Sequence, residues 1–167
     1  MLLRRTRKEH HGLQGMTFGM MDAIINVVGI IIGLSVMENK LVVFVAILVA
    51  GIANSFGNAA GFHVSEETEG IHTRKEVWLA TIMTFMGTFV ATMVLLVPLL
   101  FLSLAGAVIT SVSIGIAMLL LLGFIVSRCS GFGRKKMVKL MLEYLVMGII
   151  VIIVAYYLGL FASGLVI

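Results

Sequence analysis

Charge is what this sequence has least of. Only 12% of its 167 residues are charged, while 60% are hydrophobic; a soluble domain of this size carries about 25% and about 45–50%. With a mean hydropathy of +1.16, too little polar surface remains to cover a globule in water. The sequence therefore predicts an all-α integral membrane protein, with lipid as its solvent. Cysteine is nearly absent as well. The single Cys129 excludes an intramolecular disulfide and any cysteine-based metal motif, and reads as a bystander thiol. One proline, Pro98, leaves long helices uninterrupted. No P-loop, nucleotide-binding glycine turn or nucleophile–base–acid set is present, so neither an enzyme nor a resident cofactor is expected. The net charge of +4 comes from cations beside apolar runs, which points to membrane topology rather than to nucleic acid.

What is there in quantity is hydrocarbon. Crossing a bilayer takes roughly 20 helical residues, and five segments qualify, at approximately 16–36, 41–63, 77–102, 104–127 and 137–161. They form one five-helix membrane domain over 1–167. The N-terminal MLLRRTRKEHH resembles the basic region of a signal peptide, but the apolar stretch behind it is a full span, so a retained first helix is expected. The third and fourth spans meet at LSLAG, a boundary marked only by Ser103 and Gly106.

Orientation follows from Lys and Arg. Arg4, Arg5, Arg7 and Lys8 precede the first span, Arg74 and Lys75 follow the second, and Arg128, Arg134, Lys135, Lys136 and Lys139 lie around the fourth loop. An N-inside, C-outside arrangement places eleven of the twelve basic residues in the cytoplasm; only Lys40 falls outside. The odd number of spans argues against an inverted repeat within one chain. A symmetric pore would need two chains.

Ionisable residues within a span are costly and usually functional. Asp22, the only aspartate, lies about 9 Å into its helix at ~1.5 Å per residue. Because the first two helices are joined by the short turn MENK, depths can be matched across them. Asp22 falls level with Asn58, and Asn26 with Asn54, so four oxygen-bearing side chains line one candidate path. Asn residues that simply hold helices together are the plain alternative. Gly15 and Gly19, Gly29 and Gly33, and Gly57 and Gly61 are each four apart, a spacing that suits close helix packing. At the end of the second helix His63, Glu66 and Glu67 share one side at i, i+3 and i+4, with Glu69 close by. Carboxylates with imidazole suit Mn²⁺ or Fe²⁺. Glu143 is expected to pair with Lys139, four residues away, and the twelve methionines read as packing.

These residues also carry a resemblance. Phe18-Gly19-x-x-Asp22, followed by Gly29 and Gly33, resembles the first-helix signature of the vacuolar iron transporter family. Ala59-Ala60-Gly61-x-x-Val64-Ser65 resembles the end of that family's second helix. The resemblance implies a homodimer exporting cytosolic Fe²⁺ or Mn²⁺ as substrate, in exchange for protons, along a path between subunits lined by the first helix. Asp22 would be the carboxylate that takes metal and proton in turn. The sequence departs from the family at Ala23, where a Gly is usual, at Asn58 (Met) and at Phe62 (Glu), and it lacks an extended acidic domain after the second helix. A non-transporting oligomeric scaffold with the same fold, or a transporter for another cation, are the alternative readings. A multi-pass protein of a prokaryotic plasma membrane is the expected setting.

Overall fold

Long runs of Leu, Ile, Val, Met and Ala without internal breakers satisfy their backbone polar groups most simply as helices. The computed structural model describes the backbone of residues 2–165 and side chains from Gly12 onward. It consists of five helices: α1 (Leu2–Ser35), α2 (Lys40–Glu69), α3 (Arg74–Phe101), α4 (Leu104–Cys129) and α5 (Arg134–Leu165). There is no strand among the described residues. Each helix is long and apolar enough to cross a membrane. The side chains of the N-terminal cations Arg4, Arg5, Arg7 and Lys8 lie outside the described residues.

The helix ends follow local chemistry. Asn39 caps α2, its Oδ1 accepting from the Val42 N–H at 3.2 Å. Helix α2 ends where Gly70 turns left-handed at φ 66°, a conformation that costs glycine nothing. Thr73-Arg74-Lys75-Glu76 forms the returning half of a capping box: the Glu76 carboxylate accepts from the Thr73 N–H at 3.0 Å and from its hydroxyl at 2.8 Å. Pro98 sits inside α3 close to its end. The boundary at LSLAG is real, with Ser103 capping α4 by accepting from the Gly106 N–H.

Helices α1 and α2 both run beyond the apolar stretches expected of them. α1 takes in the charged N-terminal residues and α2 continues through the acidic segment to Glu69. Arg, Lys and Glu are good helix formers, so charge ends a span without ending a helix.

The chain divides into two compact units. The first holds residues 1–23 and 50–91. In it α1 and α3 meet backbone to backbone. A methyl group added at Gly15 would strike the Ala80 carbonyl, one at Gly19 the Thr84 carbonyl, and one at Gly87 the Met16 carbonyl. Such approaches replace the hydrophobic effect as the packing force where the solvent is lipid. Ser55, Ala80, Thr84 and Thr88 are fully buried there.

The second unit holds residues 24–49 and 92–167. Its core is aliphatic, with Ile24, Ile31, Ile47, Leu95 and Leu99 the largest buried side chains. Gly29 faces Val151, and Gly33 faces Ala155 and Gly159, so α1 packs on α5 through small residues. The Ser111 hydroxyl donates to the Leu95 carbonyl at 2.8 Å, tying α4 to α3. Within α5 itself only Gly148 is buried, against Leu119.

Candidate functional site

The polar residues of the first unit gather around one carboxylate. Asp22 projects from α1, and its Oδ2 accepts from Asn54 Nδ2 at 2.5 Å and from Asn58 Nδ2 at 2.7 Å. Asn54 and Asn58 are four residues apart on α2, so both amides face the same side. The Asn58 amide also reaches α3, 3.2 Å from the Thr88 hydroxyl oxygen. The Thr88 hydroxyl hydrogen is already given to the Thr84 carbonyl at 3.0 Å. Thr88 can therefore only accept from Asn58, which fixes which way that amide faces. Gly19 lets this happen: its missing side chain leaves α1 directly against Thr84 and Thr88.

The depth matching of Asp22 with Asn58 corresponds to a direct hydrogen bond. Asn54, expected level with Asn26, bonds to Asp22 as well. Asn26 is exposed and belongs to the second unit. Thr88 was not among the residues singled out from the sequence. Its signal was there, in the spacing Thr81, Thr84, Thr88, Thr92 along one side of a mostly apolar helix.

One turn along from Asp22 and Asn58 stand Phe18 and Phe62, their ring centroids 5.5 Å apart. Another pair of interactions lies beyond them. His63 Nδ1 is 2.8 Å from the Thr81 hydroxyl, and its Nε2 is 3.4 Å from the Glu67 carboxylate. The indole of Trp78 packs on the imidazole at 4.7 Å.

The expected grouping of His63, Glu66 and Glu67 on one side needs correction. Glu66 turns inward, only 4% exposed, and meets His72 Nδ1 at 2.6 Å. The imidazole of His72 is itself 8% exposed. Glu66 and His72 thus hold the loop after α2 against the unit, while Glu67 stays on the open side with His63. Glu69 is exposed. Among the described residues no three His, Cys, Asp or Glu side chains converge as a metal-ligand set.

Of the glycines expected to pack, Gly19, Gly29 and Gly33 lie against neighbouring helices, whereas Gly57 and Gly61 are exposed with nothing within 4 Å of an added methyl. Lys139 and Glu143 form an exposed pair at 3.7 Å, worth little in stability.

Chemically, the Asp22 cluster is a carboxylate solvated by two amides. If the amides turned over, Asp22, Asn54, Asn58 and Thr88 would offer oxygen ligands only, a set suited to hard cations such as Mg²⁺ or Mn²⁺. The fold and this cluster together define an all-helical chain with five helices long and apolar enough to cross a membrane and a polar cluster joining α1, α2 and α3. No protein-family model, curated protein or solved structure matches the chain.

Proposed function

We propose that the chain is a multi-pass membrane protein that exports a divalent metal ion, Fe²⁺ or Mn²⁺, from the cytoplasm in exchange for protons. The observation that carries this reading is the Asp22 carboxylate, held by Asn54 and Asn58 inside a helix apolar enough to cross a bilayer. A carboxylate at such a position is expensive to keep for packing alone. The cation bias of the loops supports a cytoplasmic N-terminus; a prokaryotic plasma membrane is the proposed setting. Two copies of the chain would enclose the path. The exposed small residues Ala53, Gly57, Ala60 and Gly61 on α2 offer a face on which a second backbone could approach closely.

In this reading metal and proton compete for one carboxylate, because a metal ligand must be deprotonated. Substrate metal displaces the two amide N–H groups from Asp22, and the amides turn to present their oxygens. On the far side a proton replaces the metal, and the return step carries that proton inward. His63, Glu67 and Glu69 would stand at the cytoplasmic mouth.

The test is Fe²⁺ and Mn²⁺ flux in proteoliposomes under a pH gradient, for the native chain and Asp22→Asn. Gradient-dependent flux that the variant loses supports exchange through Asp22. No flux from folded native protein refutes it. The second reading, a non-transporting scaffold, is favoured by the same hydrogen bonds, since Asn54 and Asn58 also tie α2 to α1. It predicts that both Asn→Ala variants lose assembly while no variant, nor the native chain, moves metal.

A further inference from the structure

His63 is held through both ring nitrogens. The Thr81 hydroxyl bonds the Val77 carbonyl at 2.8 Å, the usual bond of a helical Thr to the carbonyl four residues back, and its oxygen lies 2.8 Å from His63 Nδ1. Nε2 faces the Glu67 carboxylate oxygen at 3.4 Å. A hydrogen on Nε2 makes this an ordinary histidine–carboxylate pair; a metal ion in its place would be held by both atoms.

We infer that His63 Nε2 and the Glu67 carboxylate form a two-ligand site for a divalent transition-metal ion, with Thr81 as the residue that orients the imidazole. Three observations carry it. The ligand atoms are 3.4 Å apart; a metal about 2.1 Å from each would see them at roughly 110°, near the tetrahedral value. The imidazole is fixed by a bond from its other nitrogen, the arrangement that metal-ligating histidines adopt. The ring is also braced by Trp78, while Glu67 is 52% exposed, leaving the open side of the site to water ligands. An imidazole with a carboxylate favours borderline ions, Mn²⁺ to Zn²⁺, over Mg²⁺ or Ca²⁺. Glu66 takes no part, because His72 holds it inward.

This inference refines the cytoplasmic mouth of the proposed path, but its test does not depend on transport. Trp78 is the only tryptophan, and it lies 4.7 Å from the imidazole. A paramagnetic ion on His63 must quench its fluorescence. Detergent-solubilised full-length chain is titrated with Co²⁺, with Mg²⁺ in excess as a control. Saturable quenching is expected, insensitive to Mg²⁺. Glu67→Gln, a surface change without consequence for folding, is expected to raise the half-saturating concentration at least tenfold. Thr81→Val frees the ring and is expected to raise it several-fold, with unchanged helicity by circular dichroism. Asp22→Asn is expected to leave the curve in place.

Quenching that does not saturate, or that is the same in Glu67→Gln, overturns the site. Loss of quenching in Asp22→Asn also overturns it, since the signal would then belong to the other cluster. If Co²⁺ binds as expected and the liposomes show no flux, the site stands and the transport reading falls.

Discussion

Asn58 is gripped from two sides, and its removal tests the cluster more cleanly than loss of the charge itself. Its amide donates to Asp22 and to Thr88, whose hydroxyl cannot donate back. Asn58→Ala leaves a part-buried carboxylate short of one donor and should lower stability by about 1–3 kcal/mol, read as a shift in denaturant midpoint of the solubilised protein. Asn58→Asp should do worse at neutral pH, because it sets a second acceptor against Asp22 and Thr88. At this scale the sequence was partly legible. Two helices joined by a short turn must be antiparallel, so counting residues brought Asp22 level with Asn58. Counting did not resolve Asn54, since an amide can reach one helical turn up or down. Nor could it reach Thr88: the rotation of α3 about its axis is set by Gly15, Gly19 and Gly87 meeting backbone, a three-dimensional fit that spacing along one chain does not encode. The inward turn of Glu66 escaped for the same reason, as His72 approaches from the loop.

Among the helices, the glycines separate into two kinds with opposite predicted behaviour. Gly87→Ala drives a methyl group into the Met16 carbonyl, and overpacking of this sort costs about 1–3 kcal/mol. Gly57→Ala meets nothing within the chain and should raise the denaturant midpoint of the monomer slightly, by the roughly 0.5–1 kcal/mol that Ala gains over Gly in a helix. On the proposed homodimer, Gly57→Leu or Gly61→Leu would push a second copy away. The expected result is a shift from dimer to monomer in size-exclusion chromatography with light scattering, without loss of helicity. Unchanged mass would place the partner elsewhere. Helix number was readable because long apolar runs and the polar turns between them are local signals; the caps at Asn39 and Thr73 and the turn at Gly70, equally local, were not used. The extension of α1 back to Leu2 was not readable, because hydropathy measures where lipid could lie and not where the backbone stays helical.

For the whole molecule, the near-absence of cysteine becomes useful. Cys129 is the only one and is exposed at the end of α4, beside Arg128 and Arg134. With the proposed N-inside orientation it faces the cytoplasm. A membrane-impermeant maleimide should label it in inverted vesicles and leave it unmodified in intact cells; the reverse pattern would invert the topology. The length of α2 carries a further consequence under that orientation. Its 30 residues rise about 45 Å, while the hydrocarbon layer is about 30 Å thick. Counted from Lys40, the layer ends near residue 60, so Asn58 and Asn54 lie only about 3 and 9 Å inside its inner edge. The electrical distance from the cytoplasm to Asp22 is then roughly a fifth of the membrane. A divalent ion arriving there at 100 mV does only about 0.9 kcal/mol of work in the field, and about 3.7 kcal/mol remains for the outward passage. Apparent affinity measured from the cytoplasmic side should hardly change with voltage, while turnover should change steeply.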